Sequence, residues 1–218
     1  MESRLGPLVH RIVRPGAALV VLGVLQFLAA MIVVQLYFPG YSLLANAISD
    51  LGGSQSPAAW VFNLSIRVLG VFTFLGVLLI RSTFPPRRAT YLGLGFLLLA
   101  GVGAFLVGTF PEQSTWPVAS IHAIVSLWTF LTSGLALLFL SLAMLRDTRW
   151  EGFRFYTFLS GAITLVALLL LALGAFGALQ FGGMERLVVA PILLWGLVVG
   201  IHLLRLQVYA PGIKSLGA

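Results

Sequence analysis

Six apolar runs, each of about 20 residues or more and nearly free of charge, constrain this 218-residue chain more than any motif within it. They fall at about 16–38, 58–80, 89–110, 116–145, 153–179 and 187–209. A run of that length spans the hydrocarbon core as an α-helix, because lipid offers no partner for a free backbone N–H or C=O and a helix satisfies its own. Strands of a barrel would be about 10 residues long and would alternate apolar with polar positions; these runs are continuously apolar. The expected fold is therefore all-α, a polytopic integral membrane bundle of six transmembrane helices forming a single domain over 1–218. With 60% hydrophobic and 9% charged residues and short connections, no room is left for a separate soluble domain. Arg4, Arg11 and Arg14 ahead of the first run imitate the start of a signal peptide, but the run is too long for a cleaved one, so it reads as a retained span.

An even number of spans brings both termini to one side, and the charges say which side that is. Thirteen Lys and Arg residues oppose six Asp and Glu, for a formal net charge of +7. Arg4, Arg11, Arg14, Arg81, Arg87, Arg88, Arg146, Arg149, Arg154, Arg205 and Lys214 all fall on the termini, the second and fourth connections, or the span ends beside them, leaving Arg67 and Arg186 for the other half. The positive-inside rule then predicts cytoplasmic termini, in a multi-pass protein of the inner, cytoplasmic membrane. The basic residues are spread over short loops, so membrane lipids are the expected partners and nucleic acid is not. Cysteine is absent, which excludes disulfides, thiolate metal sites and a cysteine nucleophile. Small residues at helical spacing, Ala100, Ala104 and Gly108 in the third span and Gly196 and Gly200 in the sixth, point to close packing within the bundle and leave a homo-oligomer open. Gln26 reads as an interhelical hydrogen bond and Pro191 as a kink.

Polar groups other than the basic clusters gather on the odd-numbered connections. In the segment 41–52, Leu43, Leu44, Ala47, Ile48 and Leu51 recur at helical spacing while Ser42, Asn46, Ser49 and Asp50 share the opposite face. That pattern predicts a short amphipathic helix at about 41–52, re-entrant or interfacial, stopped by Gly52 and Gly53; the plain alternative is a solvated connector. The second span carries Trp60, Asn63 and Arg67 on one face, with Arg67 about two turns below the outer boundary. An arginine at mid-membrane costs about 2.5 to 3.5 kcal/mol unless paired, and Asp50 and Glu112 are the carboxylates best placed to pair with it. On the fourth span His122, Ser126, Thr129 and Ser133 follow at i, i+4, i+7 and i+11, a stripe that must face protein or a cavity. Hydroxyls can return their hydrogen bonds to their own helix, whereas His122 is a candidate base, proton carrier or metal ligand. His10 and His202 belong to the opposite side and cannot join it. The last odd connection, 180–186, has glycines for a tight turn and places Glu185 and Arg186 at the start of the sixth span, where free N–H groups favour an anion.

Asn46-Ala-Ile-Ser-Asp-Leu-Gly52 after the first span, Gly108-Thr-Phe-Pro111 at the end of the third, and His122 shortly afterwards resemble an uncharacterised prokaryotic membrane family, domain of unknown function 998. The resemblance covers essentially the whole chain and implies a single bundle of about six helices; it supplies no reaction.

The residues themselves support three classes of function. The first is an outward-facing site that binds or transports a small anionic molecule or lipid headgroup, built from Asn46, Ser49, Asp50, Arg67, Glu112, His122, Ser126, Glu185 and Arg186, with the arginines holding the negative group. The second is an intramembrane enzyme acting on a lipid or lipid-linked substrate, with His122 or Asp50 as catalytic base; a metal-assisted hydrolase would use Asp50, Glu112 and His122, although no zinc-binding histidine motif and no Gly-x-Ser-x-Gly elbow is present. The third is a non-catalytic assembly protein whose polar set only packs loops. No cofactor motif occurs, the glycines of the third span lying inside a lipid-embedded helix.

Overall fold

A computed structural model describes residues 5–112, 117–145 and 147–205. Its six long helices are α1 (Leu5–Tyr37), α2 (Ala59–Ile80), α3 (Arg88–Thr109), α4 (Val118–Met144), α5 (Glu151–Ala172) and α6 (Gln180–Arg205), with no strand among the described residues. Each is long and apolar enough to cross a membrane. Arg4, Arg146 and Lys214 of the basic set, and the expected start of the fourth span at Trp116, lie outside the described residues.

Consecutive helices are neighbours and α6 packs back on α1, so the bundle is a closed ring. Paired positions run in opposite directions at every interface: Gly16 meets Gly76 while Gln26 meets Ser65, and Gly93 meets Leu140 while Gly103 meets Thr129. All neighbours are thus antiparallel, and the C-terminal ends of α1, α3 and α5 share one end of the bundle, here the odd-loop end. The connections 81–87 and 145–150 share the other, the terminal end.

Close approach at small residues holds the ring together, since apolar side chains gain little by leaving lipid for each other. Where α2 crosses α3, a Cβ on Gly70 would stand 2.5 Å from both the Gly101 carbonyl oxygen and the Phe105 nitrogen. Gly108 faces Asn63, Ile66 and Arg67 of α2, and Gly196 and Gly200 face valines of α1, so the small residues of these two spans serve contacts inside the chain. Gln26 donates to the Ser65 carbonyl at 2.8 Å, joining α1 to α2. The α5–α6 seam uses polar ties instead: Thr164 Oγ1 donates to Val188 O at 3.2 Å, and Trp195 Nε1 to Thr157 Oγ1 at 2.9 Å.

Two packed layers cap the ring. At the terminal end Trp150 stacks on Phe84 with centroids 4.7 Å apart, above Leu137, Leu140 and Met144. His202 packs there against Phe153 and Trp150, far from His122 as expected. At the odd-loop end Phe27, Phe62, Val34 and Leu193 pack around Ile48 and Leu51, which come from the first connection. Between these layers lies an axial cavity of about 110 Å³, bordered by α1, α2, α3, α4 and α6.

Two expectations are corrected. The fifth span stops at Ala172 and the sixth starts at Gln180, not at 179 and 187. Gly174 and Gly177, both at positive φ, break the helix inside an apolar stretch, and hydropathy cannot distinguish a buried-looking loop from a span. The segment 41–52 is not a continuous helix either: it is a set of turns followed by a single 3-10 turn, Ser49–Gly52. Ala47, Ile48 and Leu51 are buried as the pattern required, whereas Leu43 and Leu44 are exposed.

Gly70→Ala should cost about 1 to 3 kcal/mol, because its new methyl meets backbone that cannot rotate away. Gly95→Ala, with nothing within 4 Å of the added carbon, should be neutral or stabilising. Thermal unfolding of the two variants in the same detergent checks this, and equal melting points would refute the tight α2–α3 crossing.

Candidate functional site

The odd-loop end is organised by a chain segment that cannot satisfy its own backbone. Because 41–52 makes few internal hydrogen bonds, its groups turn to side chains. Asn46 Oδ1 accepts from Ser42 N at 2.9 Å, and Asp50 Oδ2 accepts from Asn46 Nδ2 at 3.0 Å and from Ala47 N at 2.9 Å. Ser49 opens the 3-10 turn, half-buried between Ile48 and Asp50. Gly52 O accepts from the buried Asn63 Nδ2 at 2.9 Å, and Gly52 lies so close to Asn63 that no Cβ would fit. The polar positions of Asn46-Ala-Ile-Ser-Asp-Leu-Gly52 therefore tie this turn together while Ile48 and Leu51 seat it in the bundle.

The first two turns of α6 fasten the segment from the other side. Arg186 Nη1 donates to Asn46 O at 2.8 Å and to Gly182 O at 2.9 Å, and its Nη2 donates to the Tyr41 hydroxyl at 2.6 Å. Tyr41 donates in turn to Ala47 O at 2.7 Å. Burial raises the Tyr41 pKa above its ordinary value, and the nearby Arg186 charge opposes that rise. Glu185, 6% exposed, accepts the backbone N–H of Ile48, with Glu112, Arg186 and Asp50 as its charged neighbours. Gly182 presses on the Asn46 carbonyl so closely that any side chain there would clash, and Gly183 N donates to Leu44 O at 3.1 Å. The expected tight turn at 180–186 is thus corrected: its glycines are helical and make room for the first connection. Glu185 receives a backbone N–H of the first connection.

A second cluster surrounds the end of α3. Arg67 Nε donates to Gly108 O at 2.8 Å, and His122 Nδ1 meets Phe110 O at 2.7 Å. The Glu112 carbonyl lies beside Gly53, bringing the first connection to the same place. Three residues from three different elements therefore converge on 108–112. Among the described residues Arg67 forms no ion pair, since the pair found there is Arg149 with Asp147; the expected partnership with Asp50 or Glu112 is replaced by a carbonyl. A carbonyl oxygen accepts only, so His122 Nδ1 carries the proton in that bond. In the neutral ring Nε2 is then the acceptor, and it lies 3.3 Å from Ser126 Oγ. Glu112 Oε2 is enclosed and has no hydrogen-bond partner among the described residues.

The rest of the stripe on α4 behaves as ordinary helix. Thr129 Oγ1 donates to Val125 O at 2.6 Å and Ser133 Oγ to Thr129 O at 2.7 Å, so the hydroxyl protons of both are taken by their own helix. No three His, Cys, Asp or Glu side chains among the described residues come together in a metal-binding group, so Asp50, Glu112 and His122 do not form the ligand set of a metal-assisted mechanism. Tyr41 and Asn63 are essential to this end and were not among the expected site residues. Asn63 had a legible signal, a carboxamide within a span that must find a partner. Tyr41 had none, because its partner is 145 residues away.

A family model described as "Protein of unknown function (DUF998)" matches residues 21–202, most of the chain. No curated protein and no solved structure matches it.

Arg186→Gln should lower the melting temperature by several degrees and accelerate hydrogen exchange across 41–52, because a charged donor serving three acceptors is removed. Arg186→Lys should recover only part of the loss, an ammonium lacking the planar fork. Unchanged exchange in both variants would show that the segment holds without the guanidinium.

Proposed function

The chain belongs to the DUF998 family, whose description assigns no activity, and from the geometry of its odd-loop end we propose that it binds a lipid there, headgroup outermost, in a bundle whose termini face the cytoplasm. The carrying observation is the convergence of Arg67 and His122 on residues 108–112, where one carboxylate oxygen of Glu112 is enclosed and unpartnered among the described residues. Arg67 uses Nε on Gly108, which leaves its terminal nitrogens for a phosphate. Glu112 is suited to a donor, a hydroxyl or an ammonium on the same headgroup. Asn46, Asp50, Glu185 and Arg186 hold the frame and do not face the ligand in this reading.

The apolar surroundings of the polar cluster favour a lipid over a small soluble anion, since the cavity deeper in the bundle, which Arg67, Glu112 and His122 do not line, is mostly apolar. Residues such as Val24, Phe27, Leu69 and Ala104 line it, and of its three hydroxyls those of Thr129 and Ser133 donate to backbone, leaving Thr73 as the third. Moving an ionised group into such surroundings is prohibitive, whereas a hydrocarbon chain gains about 0.8 kcal/mol for each CH₂ it buries from water and loses nothing relative to bilayer. Native mass spectrometry of the detergent-solubilised protein with added phosphatidylethanolamine tests the assignment. Glu112→Gln and Arg67→Gln should each reduce retained lipid about tenfold, roughly 1.4 kcal/mol, while the melting point of the near-isosteric Glu112→Gln stays within a few degrees. Full retention by both variants would overturn it.

His122 and Ser126 support a second reading, an acyl-transfer enzyme. With Nδ1–H held by Phe110 O, Nε2 is directed to the Ser126 hydroxyl, the relation of a base to its nucleophile. Ser126 Oγ would attack an ester carbonyl as its proton passes to Nε2; that proton then leaves with the alcohol, and water reverses the sequence to free the acid. A fluorophosphonate probe should label Ser126 and fail to label Ser126→Ala or His122→Gln. An unlabelled wild-type protein with intact lipid retention would leave binding as the function.

A further inference from the structure

At the opposite end of the molecule, α2 and α3 leave a lateral groove of about 610 Å³ beneath the connection 81–87. Its floor is Leu94, and Leu78, Gly95 and Leu98 continue it toward the middle of the bundle. Gly95 has no atom within 4 Å of an added Cβ, so this face of the helix is uncovered rather than packed, unlike Gly93 two residues earlier on the opposite face, which presses on Leu140. From Tyr91 to Leu98 the groove descends seven residues, about 10 Å along the helix axis. Tyr91, 67% exposed, stands at the entrance, and exposed Arg81 and Ser82 form the rim. Arg87 and Arg88 follow at the start of α3. On the neighbouring connection the carboxylate of Asp147 is taken by Arg149 at 2.6 Å, and among the described residues no acid pairs with Arg81.

We infer that this groove is a binding site for one anionic phospholipid of the surrounding bilayer, its acyl chain lying over Gly95 between Leu78, Leu94 and Leu98 and its phosphate held by Arg81. The chemistry follows from the order of the lining. Apolar surface at depth accepts hydrocarbon, an amphipathic tyrosine marks the level where chain gives way to headgroup, and a guanidinium above it binds phosphate. The cluster of three arginines within eight residues adds long-range attraction for a negative headgroup over a zwitterionic one. A chain resting in the groove also covers the bare face of α3 that no helix of the ring covers. The site is independent of the lipid assigned to the odd-loop end, which has different residues and the opposite position in the bundle.

The full-length protein in detergent, titrated separately with phosphatidylglycerol and phosphatidylcholine and read by native mass spectrometry, tests the inference. Wild type should retain one phosphatidylglycerol with about tenfold preference over phosphatidylcholine. Gly95→Trp, which fills open space, should remove that lipid while keeping the melting point. Should Gly95→Trp fail to fold, Ser82→Glu, a change at an exposed position, sets a negative charge beside Arg81 and should abolish the preference alone, as should Arg81→Gln. Equal retention of the two lipids by wild type, or undiminished phosphatidylglycerol in Arg81→Gln and Ser82→Glu, would overturn the site. Loss of that lipid in Arg67→Gln instead would place it at the odd-loop end and equally overturn it here.

Discussion

Everything at the odd-loop end depends on how residues 41–52 satisfy their backbone where the segment turns into the bundle at Ala47, Ile48 and Leu51. A helix would do so internally, but the chain here is bent into turns, and its carbonyls and amides are served by side chains, Arg186, Glu185 and Asn63 from outside and Asp50 from within. Arg186 matters most among them because a single planar cation reaches Asn46, Gly182 and Tyr41, three acceptors from two elements. The same ties draw Ile48 and Leu51 into contact with Phe27, Phe62 and Leu193, so the first connection becomes part of the core. A ring of six helices that would otherwise be open at this end is thereby plugged by its own loop.

This arrangement separates two kinds of polar residue that look alike in sequence. Asn46, Asp50, Glu185 and Arg186 have their bonding capacity turned toward the chain, and replacing any of them leaves a buried group without its partner. Arg67, Glu112, His122 and Ser126 each retain something unspent: guanidinium nitrogens, a carboxylate oxygen, a ring nitrogen shared only with a hydroxyl. Membrane-embedded polar groups are costly, so those with unspent capacity are the ones that function has to account for. Three acids and two arginines at this end also make it far from uniformly basic, in contrast to the terminal end, which favours a headgroup carrying both a phosphate and a donor over a simple anion.

Much of the architecture was legible in the sequence because bilayer physics leaves so few choices. Runs of apolar residues gave six spans, and Gln26, Gly108, Gly196 and Gly200 were assigned to interhelical contacts that the structure contains. Legibility failed where periodicity was shared by two conformations. The spacing of Ala47, Ile48 and Leu51 marks a buried face equally well in a helix and in a 3-10 turn, and local pattern carries no trace of Arg186 claiming the carbonyl of Asn46 140 residues away. Hydropathy likewise ran the fifth span through Gly174 and Gly177, whose positive φ angles end a helix without any polar signal. The site was readable as a gathering of residue types and unreadable as a division of labour, since the division is set by which carbonyl each side chain reaches.

The opposed characters of the two ends and the middle bear on what such a bundle can pass or hold. A route for a hydrated ion needs polar groups at intervals through the membrane, and the stripe on α4 begins as one with His122 and Ser126. Beyond them it thins, because Thr129 and Ser133 donate their hydroxyl protons to their own helix and the axial cavity below is lined mostly by apolar side chains, with Thr73 as a further hydroxyl. In the lipid-binding reading proposed above, an amphiphile suits this order, its headgroup at the polar cluster and its chain along apolar surface, and the headgroup is then either held by Arg67 and Glu112 alone or also cut by Ser126 and His122.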